Sequence, residues 1–387
     1  MLVTAQIKKT PSVERLVQLW GERYTPDLSS FSSAQHEWTA LEELLLAALP
    51  FSRAVTAIKL QERLIQIKCQ MAGIQTKSLY AYIPNIVSLT AAERLNYFAF
   101  LVYKQVIELY PHSSLTLTSR TATSLKVGGD AQHEPFLSLS MPHINELAQA
   151  LEPVLLEYQE QYIESKDWRT LGFITTLLNF SSQLMLETLT HPERILITPF
   201  FKFIEEQVAL PWQRVCAAAA SHPLSSPAFT LVEQMLPQSQ DIAETVYLRL
   251  AHCHSDHRSR RGGLSHPGIR HSTIRDLEMF QAYLWLCVLE DSLVPVEQEL
   301  VELCVMVMTG VGVSWELIQQ FIQVLFDEVL DRVSSEQKCL LLPYTQEMLK
   351  AFKKEQVRFE DSAKHFRSSS SGKSVFPRDP AFFCPIS

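Results

Sequence analysis

Glycine is scarce in this sequence: it occupies 11 of the 387 positions, about 3% against a usual share of about 7%. Nucleotide-binding α/β folds need glycine in their phosphate loops and tight turns, so the shortage argues against that class. Charged residues make up 20% and hydrophobic residues 47% of the chain, a balance that excludes intrinsic disorder. The net charge of −8 gives no overall attraction to nucleic acid or to an acidic membrane.

The sequence also lacks paired cysteines and long apolar runs. Its seven cysteines form no Cys-x-x-Cys pair, and most lie in apolar stretches. Dispersed thiols of odd number favour a reducing compartment, so we expect a cytoplasmic protein. Three uncharged stretches, 170–186, 215–232 and 303–315, are interrupted by polar residues or proline, or fall short of the roughly 20 apolar residues that span a bilayer. We therefore expect no transmembrane segment.

Apolar residues recur with helical spacing along most of the chain. Helix starts are predicted where a capping residue precedes a proline or forms a capping box. These sites are Thr10–Pro11, Thr90-x-x-Glu93, Ser226–Pro227, Ser314 and Ser334-x-x-Gln337. Gly73 is predicted to end a helix. The pattern indicates an all-α protein, built as a multi-helix bundle or an irregular helical stack.

One segment of the N-terminal half departs from helical spacing. Between residues 114 and 141, apolar residues alternate with serine and threonine around Gly128–Gly129. This alternation predicts a small β-hairpin, although a long loop would also explain it. We therefore divide the chain into an N-terminal helical region (1–112), an insertion (113–142), a main helical domain (143–367) and a flexible tail (368–387).

Six consecutive residues, 252–257, read His-Cys-His-Ser-Asp-His and match the pattern H-x-H-x-D-H. The pattern resembles the zinc motif of the metallo-β-lactamase family. In that family the positions of His252 and His254 would hold one zinc ion, and those of Asp256 and His257 a second, which would activate water for hydrolysis. That family is an αββα sandwich with further downstream ligands, whereas mostly helical residues precede the motif here and one histidine follows His271.

The residues before the motif fit two structures. Val246, Leu248 and Leu250 alternate as in a strand, while Ile242, Val246 and Leu250 would share one helix face. A local zinc site independent of the family fold stays open, because three or four ligands within 252–271 could converge. The candidate ligands are His252, His254, Asp256, His257, His266 and His271. The alternative is a solvated loop rich in histidine and arginine.

The same loop is basic. Between residues 249 and 275, six arginines stand against Asp256 alone: Arg249, Arg258, Arg260, Arg261, Arg270 and Arg275. Guanidinium groups pair with carboxylates in bidentate geometry, which predicts a docking loop for an acidic surface of another protein. Nucleic acid is less favoured because no aromatic residues interleave with the arginines. Alternatively, acidic helices of the same chain balance this charge.

The last four residues, beginning with Cys384, fit the C-a-a-X pattern of prenylated proteins. The chain contains no G-x-S-x-G elbow, no Glu-x-x-His pair and no complete phosphate loop. The sequence therefore favours a non-catalytic scaffold, adaptor or assembly factor that binds other proteins through 252–272. The alternatives are a metal-binding protein or metal-dependent hydrolase, and a peripheral membrane protein prenylated at Cys384.

Overall fold

The computed structural model describes residues 9–26, 37–81, 87–112, 116–121, 135–140, 144–165, 169–259, 262–305 and 313–370. Its helices are α1 (Pro11–Gly21), α2 (Glu37–Ala48), α3 (Pro50–Lys59), α4 (Glu62–Leu79), α5 (Leu89–Leu109), α6 (Ile144–Ser165), α7 (Arg169–Leu186), α8 (His191–Ala209), α9 (Trp212–Ala218), α10 (Pro227–Met235), α11 (Ser239–Cys253), α12 (Pro267–Glu290), α13 (294–305, with a π-helical turn over Val296–Leu300), α14 (Trp315–Asp331) and α15 (Ser335–Ser370). The predicted all-α class is confirmed.

The predicted hairpin is also confirmed. Strands β1 (Thr116–Thr121) and β2 (Pro135–Ser140) are antiparallel, with Thr116 opposite Ser140 and Thr121 opposite Pro135. A second, very short antiparallel pair, β3 (Arg258–Ser259) and β4 (Gly262–Gly263), lies in the arginine-rich stretch 249–275, called the basic segment below. The sequence did not predict this second hairpin.

Side-chain caps begin several helices where the sequence predicted them. The hydroxyl of Thr10 accepts from the backbone N–H of Val13 at 3.3 Å, and that of Ser314 accepts from Leu317 at 3.2 Å. Such a bond satisfies a helix-terminal donor that has no partner inside the helix. At α5 the prediction was wrong, because Ser88 rather than Thr90 supplies the cap. The helix α5 therefore begins at Leu89, two residues earlier than it would with Thr90 as the cap.

Gly73 was wrongly predicted to end a helix. It lies inside α4, which continues to Leu79, and it is buried against α5. A Cβ atom at this position would overlap the side-chain amide of Asn96. The glycine therefore leaves room for the Asn96 side chain between α4 and α5, and this requirement arises from tertiary packing rather than from capping.

The apolar side chains form one continuous core that draws on α1 through α15. Within it, α4 packs against α5 and α7, while α11 packs against both α12 and α14. Trp20, Trp212 and Trp285 are fully buried, and burying such large side chains is the dominant favourable term in folding. Among the described residues, no helix combines the length and the apolar character needed to cross a lipid bilayer.

A buried ionic network ties the N-terminal region to α8 and α12. The Arg23 guanidinium lies 3.2 Å from a carboxylate oxygen of Glu206 and 3.0 Å from one of Glu278. It also stacks over the ring of Trp212, with 4.9 Å to the ring centroid. These contacts join regions that the sequence assigned to separate units, and the domain boundaries themselves stay a prediction.

Candidate functional site

The basic segment is more helical than the sequence predicted. A polar loop was expected over 252–272, yet α11 runs through Cys253 and α12 already begins at Pro267. His266 caps α12, since its Nδ1 accepts from the backbone N–H of Gly268 at 3.2 Å, and proline suits the first helical position. Histidine is not a preferred capping residue, which explains why this helix start was missed. Arg270 and His271 therefore stand on a helix.

The strand interpretation of the residues before the zinc-like motif was also wrong. Ile242, Val246 and Leu250 are buried on one face of α11, as the helical alternative predicted. The αββα sandwich of the metallo-β-lactamase family is incompatible with this all-α fold. The six-residue match therefore carries no family assignment.

The β3–β4 hairpin is anchored to the helices on either side. The hydroxyl of Tyr247 on α11 donates to the carbonyl of Leu264 at 2.8 Å, and Leu264 is itself buried. Gly262 adopts φ +123°, which side-chain-bearing residues rarely adopt. The hydroxyl of Ser259 donates to the carbonyl of Gly262 at 3.0 Å. These contacts fix the position of the hairpin.

The candidate metal ligands are spread over different surroundings. His252 is exposed on the last turn of α11, Asp256 is exposed in the turn that follows, and His254 between them is half-buried. His266 caps α12, and His271 contacts Glu205 of α8 at 2.9 Å. In the described part of the chain, no three histidine, cysteine or acidic side chains come together as a metal-binding group. The zinc hypothesis stays a prediction from the sequence.

Two of the six arginines are neutralised within the protein. Arg249 pairs with Glu328 of α14 at 2.7 Å. Arg275 pairs with Asp276 at 2.8 Å and with Glu205 at 3.4 Å. For these two arginines, the alternative of internal charge balance describes the structure.

Two further arginines are exposed and have no carboxylate within 4 Å among the described residues. Arg258 donates to the backbone carbonyls of Ser255 and His257 at 2.9 and 3.0 Å. Arg270 lies over the ring of Tyr247, 5.6 Å from its centroid. The remaining site residues predicted from the sequence lie outside the described residues: Arg260, Arg261 and Cys384.

Glu205 organises a cluster of ionisable groups between α8 and α12. Burial opposes ionisation of this carboxyl, yet the facing charges of His271 and Arg275 hold its pKa below the ordinary value. The nearby charge of Glu205 in turn raises the pKa of His271. The cluster therefore favours a charged Glu205–His271 pair, which links the start of α12 to the end of α8.

A cavity of about 120 Å³ lies beside this cluster, between α12 and α14 and under the hairpin. On α12 it is lined by Thr273, Asp276, Leu277 and Phe280, which share one helix face. Apolar residues of α14 form the opposite wall, and His257 and Leu264 contribute from the hairpin segment. Sequence reasoning missed Asp276, because no local motif contains it and the cavity forms only when the helices pack.

Comparison of the chain with protein-family models, with curated proteins and with solved structures finds no match. The assignment of function below therefore rests on the geometry of this site.

Proposed function

We propose that this protein is a non-catalytic helical adaptor that binds an acidic segment of a partner protein. Its docking surface consists of Arg258 and Arg270. The observation that carries the proposal is that both guanidinium groups are exposed, held in place and without a carboxylate partner in the described part of the chain. Paired arginines of the same segment do not share this property.

The restraint on these two side chains supports a binding role. A long side chain that is already held by its neighbours loses less conformational entropy when a partner binds. Arg258 is held by two backbone carbonyls, and Arg270 is held by the aromatic face of Tyr247. The carbonyls occupy only one of the guanidinium nitrogens of Arg258, which leaves other donors for a carboxylate.

The chemistry of the partner follows from the sign and number of these charges. Carboxylates match the fork of N–H donors on arginine, so an aspartate- or glutamate-rich segment is the fitting occupant. An exposed ion pair contributes about 0.2–1 kcal/mol, so two arginines give a weak, salt-sensitive interaction. Arg260 and Arg261 lie between them in sequence and add positive charge to the segment.

A defined peptide tests the proposal. A fluorescein-labelled glutamate-rich peptide should bind the full-length protein at low salt, and a lysine-rich peptide of equal length should not. The double variant Arg258→Glu/Arg270→Glu should weaken binding about tenfold, or about 1.4 kcal/mol. High salt should weaken wild-type binding because it screens exposed charges. Fluorescence anisotropy measures both effects.

A matched variant separates docking from net charge. Arg63 on α4 and Arg194 on α8 are also exposed arginines without a carboxylate partner in the described structure. The variant Arg63→Glu/Arg194→Glu changes the net charge by the same amount and should leave peptide binding nearly unchanged. An equal loss of peptide affinity in the two double variants would refute the docking surface. Peptide affinity that does not change with salt concentration would also refute it.

A further inference from the structure

The cavity under the β3–β4 hairpin has the features of a small-ligand site. This observation does not depend on the proposed docking surface. Two of its walls are apolar, formed by α14 residues such as Ile318 and Leu325 and by Leu277 and Phe280 on α12. Its volume of about 120 Å³ is close to that of the apolar cavities of about 150 Å³ that hold a benzene molecule. An apolar group the size of one ring therefore fits.

One side of the cavity is polar. Asp276, whose side chain is 25% exposed, lines the cavity beside Thr273. Its Oδ1 accepts from the Arg275 Nε at 3.1 Å and Nη2 at 2.8 Å. Within the described residues, no donor reaches its Oδ2. This oxygen is therefore available as an acceptor for a ligand in the cavity.

The balance of charge at this end selects the ligand's polar group. Arg275 lines the cavity and pairs with two carboxylates, those of Asp276 and Glu205, and the Glu205 carboxylate is also paired with His271. An anionic ligand in the cavity would compete with these two carboxylates for the same guanidinium and would face the unpaired oxygen of Asp276. A cation would instead be attracted to that oxygen, and the low-dielectric walls strengthen the attraction. The end near Asp276 therefore favours a hydrogen-bond donor that carries positive charge.

We propose that this cavity binds a small amine, with an apolar ring-sized body between α12 and α14 and an ammonium group hydrogen-bonded to Asp276. The apolar walls supply affinity through the removal of apolar surface from water. Asp276 supplies selectivity, because its carboxylate accepts a hydrogen bond from the ligand and repels an anionic group. The site is built mainly from α12, α14 and the β3–β4 segment, with Tyr80, Gly172 and Thr175 completing its lining. Its lining residues are already in place, as is common for ligand cavities.

Three compounds that share one ring and differ in their polar group test the proposal: benzylamine, benzyl alcohol and benzoate. Titration of the full-length protein, followed by nuclear magnetic resonance or calorimetry, should show saturable binding of benzylamine. Benzyl alcohol should bind more weakly by about tenfold, and benzoate more weakly still. Absence of saturable benzylamine binding would refute the site, and benzoate binding as tightly as benzylamine would refute the role of Asp276.

Two variants locate the binding in this cavity. Thr273→Phe places a ring in the cavity and should abolish binding of benzylamine, whereas Thr230→Phe, at an exposed threonine of α10, should leave it intact. Asp276→Asn should remove the preference for benzylamine over benzyl alcohol. If Asp276→Asn fails to fold, the Thr273→Phe result and the order of the three compounds still decide. Undiminished binding by the Thr273→Phe variant would overturn the assignment.

Discussion

Removal of the Arg23 charge should destabilise the fold strongly and in a pH-dependent way. The Arg23 side chain is 5% exposed and contacts the carboxylates of Glu206 and Glu278 on two different helices. Methionine would keep much of the apolar contact with Trp212 while removing the charge. Two carboxylates would then be left close together, without their shared cation and away from water.

The magnitude follows from the burial of the network. Breaking a buried ion pair by removing one partner costs about 3–5 kcal/mol, because the remaining charge is uncompensated. In the wild-type protein, burial opposes ionisation of Glu206, but the attraction of Arg23 holds its pKa below the ordinary value. In the Arg23→Met variant, only Lys202 would remain as a cation near Glu206 among the described residues, at 3.7 Å and partly exposed. Burial and the charge of Glu278 should then outweigh its attraction and raise that pKa above its value in the unfolded chain.

The sign of the pH dependence follows from this reversal. A carboxyl whose pKa is raised in the folded state is stabilising while protonated, and that stability is lost as the pH rises through the folded value. Each unit of raised pKa corresponds to about 1.4 kcal/mol. The destabilisation by Arg23→Met should therefore be small near about pH 5 and should approach 3–5 kcal/mol near about pH 8.

Urea unfolding followed by tryptophan fluorescence and by circular dichroism measures these values, and coincident transitions verify two-state behaviour. The control is the triple variant Arg23→Met/Glu206→Gln/Glu278→Gln, which removes all three charges together. It should recover most of the lost stability at the higher pH, since no buried carboxylate of the network remains without a cation and Lys202, which loses its contact with Glu206, is partly exposed to water. A loss below about 1 kcal/mol at both pH values, or an equal loss at both, would refute the reasoning.

Two further substitutions test local features. His271→Gln should lower stability by up to about 1 kcal/mol near about pH 6 and have little effect near about pH 9, because the raised pKa of His271 makes its pairing with Glu205 stabilising at low pH and lost as the pH rises. Equal effects at both pH values in urea titrations would contradict this. Gly73→Ala should destabilise the protein by about 1–3 kcal/mol through overlap with Asn96, although glycine-to-alanine changes inside helices usually stabilise by up to about 1 kcal/mol. Adding Asn96→Ala should restore the usual sign, and a single variant more stable than wild type would contradict the packing argument.

Helix starts were predictable where the sequence itself contains the capping partner. Ser314 and the Ser334–Gln337 pair cap their helices through bonds that span three residues, so the local sequence holds all the information. Gly73 was wrongly predicted to end a helix, because the residue that leaves no room for a Cβ atom there, Asn96, lies on a different helix. Local rules cannot distinguish a glycine that ends a helix from one that makes room for a side chain of a neighbouring helix.

The sequence predicted which segment of the chain carries the site, but not which residues its arginines contact. The sequence grouped Arg249, Arg258, Arg270 and Arg275 by their proximity along the chain, and the structure separates them by their partners. Glu205, which contacts Arg275, lies 70 residues earlier, and Glu328, which pairs with Arg249, lies on α14. Net charge in a window therefore could not show which arginines remain available.

Near the start of α12, three groups of residues with different roles lie on different faces of the helix. Successive residues turn by about 100° around a helix, so Arg270, the pair His271 and Arg275, and the pair Thr273 and Asp276 occupy three different faces. The first face is exposed, the second is bonded to α8, and the third lines the cavity. Because both residues of the second face contact Glu205 on α8, they fix the rotation of α12 about its axis. Substitutions at Arg270 and at Asp276 therefore report separately on the docking surface and on the cavity.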